Sequence, residues 1–259
     1  MVYLMVEQQF AKYPWCQRAI RGIFEEVRKR RIHVQEVSEL PGGAEERSCV
    51  LLVGASEEWI NQTARGAGSL GLHPIVLSNR ETNSSGLSVS SVKMDIHSSM
   101  ELAVDYLRTL GRERLALFGV NPSASSDLWR ARRFGELTGR EGDVFFLGSS
   151  VNEIFDQFYE KIHRYDGVIC ASDYAAVSLV GRLREKNYAI PEKLYVVGYG
   201  DMFLSRLFRP SITSISDDYE SFGKAALAIC AMMEQNDAFS VVSVKLKSRL
   251  HIRETTENR

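Results

Sequence analysis

In the stretch "SSDLWRARRFGEL" (125–137) two serines and an aspartate stand just ahead of Arg130. Ser125, Ser126 and Asp127 are residue types that cap a helix start. An arginine in a first helical turn faces the positive end of the helix dipole, so Arg130 needs a partner of its own. Aimed into a cleft, its guanidinium would grip a carboxylate or a hydroxyl-rich ligand through two parallel hydrogen bonds. The competing reading is a solvated arginine among Arg130, Arg132 and Arg133. A second stretch, "VVGYGDM" (196–202), reads as a buried strand that ends at a polar corner, with Gly200 and Asp201 where the chain turns. Ligands of open α/β sheets gather just outside the carboxyl ends of strands.

Other motifs carry less. "GAGSLG" (66–71) matches the GxGxxG dinucleotide spacing, yet that motif must follow a strand and open a helix. Here it closes a helix, so its glycines read as a C-cap and a turn. "RKRR" (28–31) ends a helical pattern, where cations complement the dipole. The five histidines are scattered, and no serine sits in a GxSxG elbow. Asp217-Asp218 reads as an exposed polar run. Cys16, Cys49, Cys170 and Cys230 lie far apart with no CxxC pair, which suits reduced, buried thiols and no zinc site. Neither a metal nor a cofactor is expected.

The elements that would position Arg130 and the 196–202 corner follow from periodicity. Strand-like runs occur at 2–6, 32–37, 49–54, 73–78, 115–120, 143–148, 166–171 and 194–199. Amphipathic helix patterns fall at 14–31, 57–69, 98–110, 127–138, 151–164, 173–187 and 219–235. Such alternation predicts parallel sheets with helices on both faces. Eight strands over 259 residues suggest two sheets, with the passage between lobes near Gly111. The segment 38–48, "SELPGGAEERS", is too short and too rich in Pro and Gly for the usual helical crossover. Either the crossover is a minimal loop or the strand at 32–37 lies at a sheet edge.

Composition narrows the class. With 44% apolar and 25% charged residues the chain reads as an ordinary globular protein. Its formal net charge of −1 argues against broad electrostatic binding of this chain to nucleic acid or membrane. No apolar run approaches the ~20 residues of a membrane span. The opening "MVYLMVEQQF" lacks the features of a signal peptide, so a cytoplasmic location is expected.

The segment "AIPEKLYVVGYGDMFLSRLFRPSITSISDDYESFGKAA" (189–226) resembles the signature of the LacI/GalR family of transcription regulators: VPxDxxVVGFDD, then PxLTT, then a helix opening near LGxxA. "LHIRETT" (250–256) is similar to that family's closing LxxRxST, and 88–119 to its VxxD…LxxLGHxxIAxIG segment. Arg130 with Phe134 fits its RxxGF, with Arg133 in place of the glycine.

The resemblance implies a periplasmic-binding-protein-like fold of two Rossmann-like lobes, each a parallel sheet flanked by helices, with a small-molecule cleft between them. The implied lobes are 1–112 plus 216–243 and 113–215 plus 244–259. It implies a homodimer and DNA binding through an N-terminal helix-turn-helix. That head is absent from this chain: either the chain is an effector domain trimmed from a longer regulator, the favoured expectation, or the protein never had a head. The implied effector is a sugar, a sugar derivative or another small anion, sensed so that cleft closure changes DNA affinity, with repression as the family habit.

Carried residue by residue, the ligand contacts fall on Tyr13 or Trp15 and Ser98 in the first lobe. In the second they fall on Arg130, on Ser172 in place of the family's Asn, and on Asp201. The family's sugar-gripping Asp falls on Gly200. Phe146 could stack on a ligand, and Ser126 could add a hydroxyl. The missing carboxylate at Gly200 suits an effector without a sugar hydroxyl there, an anion held by Arg130, unless Asp201 or a water fills in. Segment 203–208 is a candidate dimer patch through Phe203, Leu204, Leu207 and Phe208, against the plainer reading of core packing. A transport solute-binding protein shares this fold but needs a signal peptide or lipid-anchored cysteine. An α/β enzyme needs a nucleophile–base or metal constellation not found here.

Overall fold

The computed structural model describes residues 1–79, 89–148, 151–235 and 240–257. From the amino end the elements are Val2–Val6 (β1), Pro14–Arg30 (α1), Val34–Glu36 (β2), Cys49–Val53 (β3) and Glu57–Ser69 (α2). His73–Ser78 (β4), Ser90–Met94 (β5), Ile96–Thr109 (α3), Leu115–Val120 (β6) and Ser125–Thr138 (α4) follow. Next come Val144–Phe146 (β7), Val151–Glu160 (α5), Gly167–Cys170 (β8), Asp173–Glu185 (α6) and Tyr195–Tyr199 (β9). Phe203–Leu207 (α7), Thr213–Ser216 (β10), Ser221–Gln235 (α8), Ser243–Leu246 (β11) and Arg249–His251 (β12) complete them.

These elements form two units, residues 1–95 with 218–246 and residues 96–217 with 247–259. The first holds a six-stranded sheet in the order β11-β5-β4-β3-β1-β2, every pair parallel. All five residues of β3 are buried, as expected for a strand covered on both faces. Helices α1 and α8 approach so closely that a Cβ on Gly22 would lie 2.0 Å from the Glu220 carbonyl oxygen. The 38–48 segment forms no helix, and β2 is a three-residue edge strand, so both alternatives read from the sequence hold. Leu40 and Ala44 of this segment, with Val37 just before it, pack on the core that α2 covers, which is the work a helix would have done. In "GAGSLG" the glycines close α2: Leu70 N–H donates to the Gly66 and Ala67 carbonyls, and Gly71 turns at φ 72°.

The second unit holds the order β12-β10-β9-β8-β6-β7, with only β12 antiparallel. Phe118, Phe155, Phe158, Leu179 and Leu183 fill one face of this sheet, under α5 and α6. Leu117, Phe134 and Val197 fill the other, with Met100, Ala103, Val104 and Leu107 of α3. That packing moves the division of the chain. The sequence reading kept 96–112 in the first lobe, whereas the buried face of α3 sits in the second unit's core, so the units part at Asp95/Ile96.

Four strands escaped the sequence reading. β5 is serine-rich, β11 and β12 are half-exposed edges, and β10, "TSIS", is buried but almost wholly hydroxylic.

Candidate functional site

Strands β6 to β10 run parallel, so the residues that follow them share one edge of the second unit. Arg130 sits in α4, which follows β6, and its guanidinium lies 3.8 Å from the centre of the Tyr199 ring, at the end of β9. Arg130 Nη1 donates to Asp127 Oδ1 at 2.7 Å, and the other Asp127 oxygen accepts the Asn121 N–H at 3.0 Å. The partner demanded by the helix dipole is therefore internal. The N-cap of α4 is Ala124, and the Asp127 carboxylate serves Asn121 and Arg130.

The Tyr199 hydroxyl donates to Asp217 Oδ1 at 2.7 Å, and Ser248 Oγ donates to the same oxygen at 2.8 Å. Burial, with the charge of Asp217, pushes the Tyr199 phenol up to about 12, so it remains a donor at neutral pH. Burial opposes the charge of Arg130, but Tyr199, Asp127 and Asp217 outweigh it and raise its pKa. Asp217 is 6% exposed. The sequence reading took Asp217-Asp218 for a solvated run because β10 went unrecognised. With β10 in place, Asp217 is the first residue beyond a strand.

The corner at 198–202 is shaped by Asp173, the first residue of α6 and fully buried. Its carboxylate accepts the Met202 N–H at 2.6 Å and the Ser214 hydroxyl at 2.6 Å. Burial raises its pKa, and the hydrogen bonds oppose that rise. A Cβ on Gly198 would lie 2.3 Å from Asp173 Oδ1, and Gly200 turns at φ 121°, which side-chain-bearing residues rarely adopt. Asp201, at φ 47°, points inward. Its carboxylate is held by Arg253 and Arg206 with His251 Nε2 at 3.6 Å, and its side chain is 6% exposed. Burial opposes ionisation, but the two arginines bring its pKa below the usual value. Asp201 is thus spent inside the unit.

The other candidates separate. Ser126, exposed in α4, and Phe146, exposed at the end of β7, stand on the same strand-end edge as Arg130. Ser172 stands there too, but caps α6 by accepting the Ala175 N–H at 3.2 Å. Ser98 falls in α3 and so in the second unit, where the resemblance had placed it in the first.

In the first unit Tyr13, at the start of α1, is exposed, whereas Trp15 is buried with its ring 6.1 Å from both Phe10 and Tyr219. A residue missed from the sequence is Glu7, directly after β1 and 4% exposed. It accepts the Ala55 N–H at 2.9 Å, the Ser56 N–H at 3.1 Å and the side chains of Ser56 and Gln9. Burial opposes its charge, and these donors together lower its pKa. Its place one residue past a recognised strand was the available signal.

A hollow of about 600 Å³ lined by Thr138, Gly139, Arg140, Gly142, Asp143 and Arg164 precedes β7 and β8, at the opposite edge. On α7, Phe203, Leu204 and Leu207 are exposed, and only Phe208 of the four packs on the core. Among the described residues no group of three or more His, Cys, Asp or Glu is placed to hold a metal, and no helix is long and apolar enough to cross a membrane.

Residues 104–256 match the model of the periplasmic binding protein-like domain. The chain is 29% identical over 119 residues to the transcriptional regulator RegA of Clostridium saccharobutylicum, covering 46% of this chain and 32% of RegA. It therefore spans about a third of that relative's length. A LacI-type regulator from a Rhodococcus species is similar in fold, with 23% identity, 99% and 98% of the two chains covered, and a TM-score of 0.66. A LacI-family regulator of Enterococcus faecalis V583, solved with bound ribose, gives 19% identity, 99% and 98% coverage, and a TM-score of 0.66. These similarities agree with the LacI/GalR resemblance read from residues 189–226 and 250–256.

Proposed function

The chain belongs to the periplasmic binding protein-like domain family, and from that premise we propose that it is the small-molecule sensing and dimerisation domain of a LacI-type transcription regulator. The effector is a hydroxyl-rich molecule of sugar size, bound without chemical conversion. DNA recognition belongs, on this reading, to a helix-turn-helix segment joined to this domain. Effector binding shifts the population of a homodimer between two arrangements and so changes operator affinity.

One observation carries this reading: Arg130, stacked on Tyr199 and fixed by Asp127, stands at the carboxyl edge of the parallel strands. Ligands collect at that edge in open α/β sheets. The residue that the resemblance assigns to ligand binding is thus built into a rigid polar rim. The homodimer rests on α7, whose Phe203 is 73% and Leu207 59% exposed. Apolar side chains so exposed on one short helix are the mark of a contact surface, and a second copy of the chain is the partner we assign to it.

The test is calorimetry with neutral monosaccharides and disaccharides, on the wild type and on Arg130→Ala. Binding by the wild type that falls at least about tenfold in the variant, the size of a lost charge-assisted hydrogen bond, supports the reading. Wild-type binding unaffected by the substitution would move the site away from this rim.

A further inference from the structure

Among the described residues, two carboxylates act on the Arg130 guanidinium, Asp127 and Asp217. The Asp127 carboxylate occupies Nη1 at 2.7 Å, and both side chains are largely covered, 17% exposed for Arg130 and 15% for Asp127. The face of the guanidinium is occupied by the Tyr199 ring. Two nearby hydroxyl donors, Tyr199 and Ser248, both give their protons to Asp217.

We propose that Asp127 and Asp217 set the charge selectivity of this rim, so that it takes neutral hydroxyl-bearing ligands and turns away phosphorylated or carboxylated ones. This rests on the effector-site reading above and reverses the anionic effector suggested by Gly200 and Arg130 in the sequence.

The chemistry follows from the donor count. A phosphate or carboxylate brings acceptors only, and a bidentate grip on it needs two parallel guanidinium N–H groups. Asp127 takes only one of the five guanidinium N–H groups, so what it removes is chiefly charge: an anion meets an arginine already balanced by a carboxylate. Asp127 cannot swing aside freely, because its second oxygen satisfies the Asn121 amide. Tyr199 and Ser248 have no proton to spare for an anion while they serve Asp217. A sugar hydroxyl is both donor and acceptor. It can give its own proton to the Tyr199 oxygen and accept from a remaining Arg130 N–H. Asp217 completes the arrangement by fixing which way the Tyr199 proton points. It also places a second negative charge beside Arg130, and like charges brought together disfavour binding.

The experiment is calorimetry with three matched pairs of probes: ribose and ribose 5-phosphate, glucose and glucose 6-phosphate, galactose and galactose 6-phosphate. The proteins are the wild type, Asp127→Asn and Asp217→Asn, each first shown to melt cooperatively. For the pair that binds, the wild type prefers the neutral member, and Asp127→Asn narrows that preference at least about tenfold, the scale of one charged hydrogen bond. Asp217→Asn narrows it in the same direction and serves as the second reading where Asp127→Asn alters folding. A wild type that prefers the phosphorylated member overturns the selectivity while leaving the effector site standing. So does a preference that neither variant changes, since shape alone would then explain it. Failure of all six probes to bind removes the sugar-sized effector reading itself, and the selectivity with it.

Discussion

The guanidinium of Arg130 and the ring of Tyr199 lie 3.8 Å apart, and the Tyr199 hydroxyl then reaches Asp217 at 2.7 Å. A residue of α4 and a residue that ends β9 are thereby tied to a carboxylate just beyond β10. Tyr199→Phe keeps the ring under Arg130 and removes one of the hydrogen bonds into a buried carboxylate. The expected cost is about 1–3 kcal/mol, read as a lower midpoint in urea unfolding with an unchanged slope. A variant as stable as the wild type would mean that Asp217 is satisfied without Tyr199.

Gly22 and Gly223 make a different kind of contact. A Cβ on Gly223 would lie 2.3 Å from the Gly22 carbonyl oxygen, and one on Gly22 would meet the Glu220 carbonyl at 2.0 Å. Both obstacles are backbone, which cannot step aside as a flexible side chain can. Gly22→Ala is expected to force α1 and α8 apart and to cost about 3 kcal/mol, the upper part of the range for overpacking. Chemical denaturation measures it directly. Gly68→Ala, where nothing lies within 4 Å of the added carbon, is the matched control and is expected to leave stability unchanged or slightly raised.

Glu220 gives a pH signature. Burial opposes its charge, yet Arg18 at 2.8 Å, together with Arg21, lowers its pKa from 4.5 to about 2. A carboxylate with a depressed folded pKa stabilises the fold above its unfolded pKa. That stability is lost as pH falls from about 4.5 through about 2. Urea midpoints measured from pH 5 down to pH 2 are expected to fall less steeply for Glu220→Gln than for the wild type. Equal slopes would show that the two arginines do not favour the charged form.

The exposed side chains of α7 make the oligomer testable. Leu207→Glu places a charge in the middle of the apolar surface formed with Phe203, at a side chain that is 59% exposed. Sedimentation velocity is expected to show a dimeric wild type and a monomeric variant with unchanged thermal stability. A variant that remains dimeric would place the contact between copies on another face.

Much of the architecture was legible because its cause is local. Continuous apolar runs such as 49–53 and helical patterns such as 57–69 appear where the sequence places them, since burial of every residue of a short strand, or of every third to fourth residue of a helix, is written into short windows. The role of the 66–71 glycines as a helix end was equally legible, from what stands on either side of them. β10 was not, because "TSIS" is buried as hydroxyl groups whose bonds come from residues far along the chain, such as Thr213 with Thr256. Without β10, Asp217 could not be seen as a strand-end residue.

By itself, then, the sequence determined that this chain forms parallel sheets clothed in helices, and it put Arg130 forward as a residue needing a partner. Asp127, three residues earlier on the same helix, is a local partner, whereas the Tyr199 ring and the Asp217 carboxylate were brought to it by the tertiary structure. Asp201 looked available beside Gly200, but Arg253, 52 residues away, holds it. Helix α3 looked like the end of the first lobe, but its apolar face belongs with Phe134 and Val197. Periodicity records only how much of a segment is buried. Which charges cancel and which faces meet depend on distances in space between residues far apart along the chain, and these are set only once the whole chain has packed.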